Sequence, residues 1–262
     1  MRKRLFLIPI LLFICSCSGT IVQKTFTPAE NKTIKDLLTI IAAENEKIPK
    51  TLSAQVDIEG MRSDKKYKSI GKILIDVKND KMNITFFDFI FKSPLTMFIK
   101  NANALSLYYP AEKKLILSTT ERINFKSLSG IPLDMKDLLD ISVGKIPLIA
   151  KYRVKQILSS EKENRVYLVL ENPVLYETIS FKDNRPDRIL FIEKTQQVKV
   201  EFYINKWYTK RGSRYYKNVR VYSETRKFDL EISFSRITMN EPVTIKTEKD
   251  IALPKDVRVI NQ

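Results

Sequence analysis

The side chains able to carry covalent or acid–base chemistry are few in this sequence, and the missing types narrow the field most. None of the 262 residues is histidine, and Cys15 and Cys17 are the only cysteines. A Ser-His-Asp or Cys-His site is therefore excluded, as is a zinc site built on histidine and paired thiolates. The six glycines form neither a P-loop nor a dinucleotide-binding motif. Carboxylate pairs such as Asp134 and Asp137, and serine–lysine chemistry, remain formally open. The expectation is a protein that is not an enzyme, with no cofactor and no metal.

Cys17 is the one reactive side chain in a defined setting. Arg2, Lys3 and Arg4 precede an apolar run from Leu5 to Ile14. That run is far below the roughly 20 residues a spanning helix needs, and the pattern reads as an export signal. Ile14-Cys15-Ser16-Cys17 then resembles the lipobox of bacterial lipoproteins, with Ile14 at −3, Ser16 at −1 and Cys17 as the residue to be acylated. Cys15 fits badly, because bulky Ile14 would stand at −1. The expected layout is a lipoprotein signal peptide over residues 1–16, acylated cysteine and tether over 17–26, and one domain over 27–262. With Cys15 removed and Cys17 acylated no disulfide forms, so the fold must rest on its core. Ser18 stands where inner-membrane retention in enterobacteria uses aspartate, which points to the periplasmic face of the outer membrane. The formal charge of +16 then suits anionic phospholipid head groups rather than nucleic acid.

The elements that must position any site follow from periodicity. Thr27-Pro28-Ala29-Glu30 has the form of a helix start, with threonine as N-cap and glutamate three residues on. Ile34, Leu37, Leu38 and Ile41 place an apolar stripe on that helix, which should end near Pro49. From Thr51 the period becomes two, with strands expected over 54–61, 69–77, 82–91, 95–99, 104–109 and 114–118. Two short helices over 121–128 and 135–141 interrupt them, the second with Asp134 as N-cap and Gly144 at its end. Strands resume over 152–159, 165–170, 175–181, 188–193, 198–204, 215–223 and 228–237, with a last one near 257–260. Short spacing favours antiparallel pairing. The fold class expected is α+β: a strongly curved antiparallel sheet forming an incomplete barrel of about 11 strands. An N-terminal helix and short plug helices would cover its concave face.

This order is similar to the LolA/LolB superfamily of bacterial lipoprotein carriers, and more to the membrane-anchored receptor LolB. The resemblance rests on the lipidated cysteine, tether, amphipathic helix and meander. It rests also on Ser93-Pro94-Leu95 between two strands, and on Leu128-Ser129-Gly130-Ile131-Pro132-Leu133 followed by Leu138 to Gly144. Thr96 stands where the family loop has glycine. The resemblance implies acyl chains or lipoproteins as cargo, a periplasmic carrier protein as a possible partner, and a membrane held through acylated Cys17. It implies a plug helix that includes Leu128, Pro132, Leu138 and Ile141, and a membrane-contact loop at Pro94 and Leu95.

Alternation supplies the candidate cavity lining: Ile84, Phe86, Val200, Phe202, Leu230, Ile232 and Phe234. The same pattern also builds a filled barrel, which would suit a structural or adaptor lipoprotein that binds another envelope protein. Lys206, Trp207, Tyr208, Lys210, Arg211, Arg214 and Tyr215 form a basic aromatic stretch expected on a hairpin. It reads either as a membrane contact or as a solvated hairpin.

Overall fold

The computed structural model describes residues 27–28, 32–120, 122, 131–251 and 253–261. The signal, Cys17, the tether over 18–26 and, apart from residue 122, the helix expected over 121–128, with Leu128, lie outside the described residues.

One sheet carries the fold. In chain order its strands are β1 (Thr27–Pro28), β2 (Thr51–Arg62), β3 (Lys65–Asp76), β4 (Lys81–Asp88), β5 (Pro94–Asn101), β6 (Ala104–Tyr109) and β7 (Lys114–Thr119). They continue with β8 (Arg153–Ser160), β9 (Arg165–Glu171), β10 (Leu175–Lys182), β11 (Arg185–Glu193) and β12 (Lys199–Lys210). The last three are β13 (Ser213–Ser223), β14 (Phe228–Met239) and β15 (Arg258–Asn261). Two antiparallel meanders, β2–β7 and β8–β14, meet at a seam where β14 pairs with β2, Met239 opposite Leu52 and Phe228 opposite Arg62. β1 pairs with β8 at one edge, and β15 runs parallel to β7 at the other. The sheet is curved and, among the described residues, unclosed, because β1 and β15 do not meet. The 15 strands among the described residues correct the expected count of about 11. The short edge segments take ladder partners too, since backbone beside an open edge is best satisfied by it.

Helix α1 (Ile34–Asn45) starts at Thr33, which corrects the expected cap at Thr27. The Thr33 hydroxyl accepts the Asp36 N–H at 3.1 Å, and the Asp36 carboxylate accepts the Thr33 N–H at 2.9 Å. Both sites have the Thr-x-x-acid spacing of a capping box. Thr27 and Pro28 are instead taken up by the β8 edge, and a start at Thr33 sends Leu37 and Ile41 into the core.

Helix α2 (Met135–Ser142) is capped by Asp134, whose Oδ1 accepts the Asp137 N–H at 2.8 Å. It ends as a Schellman turn: the Gly144 N–H reaches the Ile141 carbonyl at 3.0 Å, and the Lys145 N–H reaches that of Asp140 at 2.9 Å. Gly144 sits at φ +94, and a Cβ there would lie 3.0 Å from the Tyr215 ring.

Both helices lie on the apolar inner face of the sheet. Leu37 and Ile41 of α1 share one cluster with Leu52, Val56, Leu168, Phe191 and Val200, and with Leu133, Ile146 and Ile149 on either side of α2. Met135 of α2 instead joins Leu105, Leu107 and Ile116 of β6 and β7. α2 therefore bridges the two meanders. Gly144→Ala is expected to destabilise the protein by about 2 kcal/mol in urea unfolding, because the left-handed backbone and the tyrosine ring both oppose a methyl group.

Candidate functional site

The geometry that shapes the concave side begins at the β12–β13 hairpin. It turns through Arg211 and Gly212, at φ 50 and 79, as a two-residue turn with both residues left-handed. Arg214 is 5% exposed, carries its guanidinium 3.8 Å from the centre of the Trp207 ring, and forms an ion pair with Glu44 of α1. Its backbone N–H donates to the Lys47 carbonyl just past that helix at 2.7 Å. Burial pushes the guanidinium down to about 10. The next two residues hold α2. Tyr215 Oη donates to the Ser142 carbonyl at 2.8 Å, and Tyr216 Oη to the Lys145 carbonyl at 2.9 Å. Burial raises the pKa of both phenols.

This corrects the membrane-contact reading for much of the stretch. Arg214 and Tyr215 are buried, and Trp207 and Tyr208 pack against the core cluster, while Lys206 and Arg211 stay exposed and Lys210 half-buried. Alternating aromatic and basic residues fit a hairpin that clamps two helices as well as they fit a bilayer surface.

Beneath α2 the inner face encloses an apolar cavity of about 270 Å³. Ile84, Phe86, Phe202, Ile232 and Phe234 line it, with Leu138 and Ile141 of α2 forming part of its wall. Val200 is fully buried in the core beside the cavity. Leu230 lies two residues before Ile232 on the same face of β14, and neither it nor Val200 lines the cavity, which corrects the expectation for both. Pro132 precedes α2. Exposure along the lining has a direction. On β2 and β14, Val56 and Phe234 are buried whereas Ile58 and Ile232 are half-buried, while Val219 and Val221 of β13 are both buried. The cavity therefore opens toward the strand ends that carry the turns at 63–64, 89–93, 172–174, 194–198 and 224–227.

That rim collects apolar side chains at its surface. Seven of the nine most exposed large apolar residues among those described belong to it: Met61, Tyr67, Phe89, Ile90, Phe91, Leu95 and Val174. Ile90 and Phe91 are 74% and 81% exposed. The loop that presents them is held from within, since the Ile90 and Phe91 N–H groups donate to Asp88 Oδ1 at 2.8 and 2.7 Å. Lys68 and Lys92 lie 4.2 and 4.7 Å from the Phe89 ring centre. Pro94 and Leu95 are exposed at the start of β5, so the tip of the loop is Phe89-Ile90-Phe91 rather than the proline and leucine. The sequence reading extended the previous strand to Phe91. Asp88, ahead of two apolar residues, was the turn signal available. The Arg211-Gly212 turn stands at the opposite strand ends, beside Asn240, whose Nδ2 donates to Ser213 Oγ at 2.9 Å.

Two carboxyl groups are buried on the inner side of α2. Glu177 of β10 is 0% exposed and Asp137 of α2 is 2% exposed. Glu177 Oε2 accepts the Ile149 N–H at 2.9 Å, while Glu177 Oε1 and Asp137 Oδ1 have no hydrogen-bond partner among the described residues. Burial, then the neighbouring Asp134, push Asp137 up to about 7; burial above all holds Glu177 well above the usual carboxylate range. No cluster of metal-ligating side chains and no helix long and apolar enough to cross a membrane occurs among the described residues.

An unclosed, curved sheet with a plug helix across an apolar concavity defines the LolA type of incomplete barrel. No protein-family model matches the sequence, and no curated protein is significantly similar to it. Solved structures do share the fold. A LolA superfamily protein from Nitrosomonas europaea matches with a TM-score of 0.54 at 11% identity, over 79% of this chain and 94% of that one. A putative outer membrane lipoprotein-sorting protein domain from Vibrio parahaemolyticus gives 0.57 at 14% identity, over 82% and 94%. A DUF1329 family protein from Desulfovibrio piger gives 0.56 at 10%, over 80% and 94%. At these identities the likeness is one of fold.

Two expectations follow from the clamp and the carboxyl pair. Arg214→Met leaves Glu44 buried without its guanidinium and should cost about 3 kcal/mol in urea unfolding. Because the carboxyl pKa values are raised, the folded protein holds more protons than the unfolded chain. Their contribution is full below about pH 4 and is lost as pH rises, through about 7 for Asp137 and through the raised pKa of Glu177. A Glu177→Gln/Asp137→Asn double variant should show a flatter decline in stability between pH 5 and pH 8 than the unaltered protein.

Proposed function

We propose that this chain is a non-enzymatic lipoprotein of the bacterial envelope, anchored through acylated Cys17, that passes acyl chains between its concave cavity and a bilayer. The observation that carries the reading is the coincidence of two features at one end. The apolar cavity opens toward the same rim that exposes Phe89, Ile90 and Phe91. Aromatic and branched apolar side chains favour the interfacial layer of a membrane, and Arg62, Lys65, Lys66, Lys92 and Lys227 on that rim suit anionic head groups at about 1 kcal/mol each. Each methylene moved from water into the cavity gains about 0.8 kcal/mol, so one chain is a sufficient cargo. The fold neighbours lend support, since one is titled a lipoprotein-sorting domain. An adaptor with a filled barrel would leave an apolar cavity of about 270 Å³ without a purpose. The cargo in this reading is an acylated protein or a lipid, delivered at the outer membrane, and a periplasmic carrier is its natural donor.

Two measurements test the proposal. Protein purified from membranes in mild detergent should release a bound acyl species in native mass spectrometry, and Ile84→Trp should abolish it by filling the cavity. Absence of any such species, together with no binding of an acylated peptide, would sink the cargo reading. Ile90→Asp and Phe91→Asp should each weaken partitioning onto anionic vesicles about tenfold, since burying either side chain is worth about 1.5 kcal/mol or more. Unchanged partitioning would remove the rim from the membrane contact.

A further inference from the structure

β9 and β11 are apolar on both faces. The inner side takes Leu168, Leu170, Ile189 and Phe191 into the core. The outer side carries Tyr167, Val169, Leu190 and Ile192 in the near-continuous apolar pattern of strands covered on both faces. Pairing across β8–β11 sets these residues in three rows. Leu158, Tyr167, Ser180 and Arg188 form one, and Gln156, Val169, Thr178 and Leu190 the next. Arg153, Glu171, Tyr176 and Ile192 form the third. All of these except Arg153 and Glu171, together with Lys155, line a trough of about 390 Å³ over roughly 14 Å of strand. Its volume lies within the ~300–1,000 Å³ typical of small-molecule sites.

Charge distinguishes the two ends of the trough. At the far end Arg188 is paired with Glu201. At the end nearest the rim, Lys155 and Lys194 lie 4.4 and 4.3 Å from the centre of the Tyr176 ring. Arg153 and Lys194 both bond Glu171, at 3.0 and 3.1 Å. Three cations thus surround one carboxylate, level with the exposed Val174 of the adjoining turn. The surplus positive charge of this end, in a chain of formal charge +16, opposes a second copy as the occupant.

We propose that this outer trough binds one anionic phospholipid, with its phosphate among Arg153, Lys155 and Lys194 and one acyl chain along Val169, Thr178 and Leu190. The site is separate from the concave cavity and takes from the functional reading only its bilayer-facing orientation. It gives the protein a lipid ligand on its outer surface that is not cargo.

The test is photolabelling of the full chain in phosphatidylcholine vesicles, with a diazirine-bearing acyl chain on either phosphatidylglycerol or phosphatidylcholine. The phosphatidylglycerol probe is expected to label outer residues of β8–β11 at least tenfold more than the phosphatidylcholine probe. Thr178→Trp should remove that label by filling the trough, and the surface double variant Lys155→Glu/Lys194→Glu should lower it about tenfold. Ile84→Trp, which fills the concave cavity, should leave it unchanged. Equal labelling by both probes, label that survives both the tryptophan and the charge reversal, or a cross-linked protein in place of lipid would overturn the proposal. Absence of any acyl species in the cavity of the unaltered protein, with the outer label intact, would instead count against the cargo reading alone.

Discussion

Both helices are held to the sheet by the inner side of one hairpin. Arg214 reaches α1 through Glu44, and Tyr215 and Tyr216 reach the end of α2 through backbone carbonyls. A buried ion pair contributes little net stability against an apolar replacement, because desolvation offsets most of the Coulomb attraction. Its effect here is positional. With the guanidinium stacked on Trp207 and the Lys47 carbonyl bonded to the same residue's N–H, α1 has one seat on β13. The tyrosines do the same for α2, whose Leu138 and Ile141 then fix the floor of the cavity.

The carboxyl pair under α2 works against that arrangement. Glu177 ties down the segment after the helix by accepting the Ile149 N–H, yet it shares an apolar interior with Asp137. Two such groups are tolerated while protonated and become costly once charged. The helix is thus held by the tyrosines at its C-terminal end, while Asp137 in its first turn and Glu177 beyond its last are costly once charged. Under the proposed function that balance is useful, since chains held much more tightly than the bilayer holds them would not be released.

Most of the sheet was legible because its strands alternate cleanly. β6 occupies the span read from the sequence, Ala104–Tyr109, and α2 differs from its expected span by one residue, with Asp134 and Gly144 as its cap and stop. The start of α1 was not legible, because two Thr-x-x-acid signals lie six residues apart and only tertiary packing chooses between them. The hairpin's role was hidden for a related reason. Trp, Tyr and Arg are amphipathic, and composition does not say which way they point. The rim was missed because Phe86-Phe87-Asp88-Phe89-Ile90-Phe91 reads as a continuous strand unless Asp88 is allowed to turn it. The outer trough did leave a trace, in apolar runs such as 189–192 that do not alternate.

The seam between the meanders has a consequence for how the chain reaches this structure. Within each meander every strand pairs with its neighbour in sequence, so those contacts are local. β2 finds its second partner only in β14, 180 residues further on where Gln55 faces Ser235. Non-local pairing of this kind is slow, because loop closure must precede the contacts that reward it. Two half-sheets can assemble early, each with an unpaired edge, and the concavity exists only once residue 239 has joined them. A chain made from its N-terminus onward therefore completes its concave face only when nearly its whole length is available.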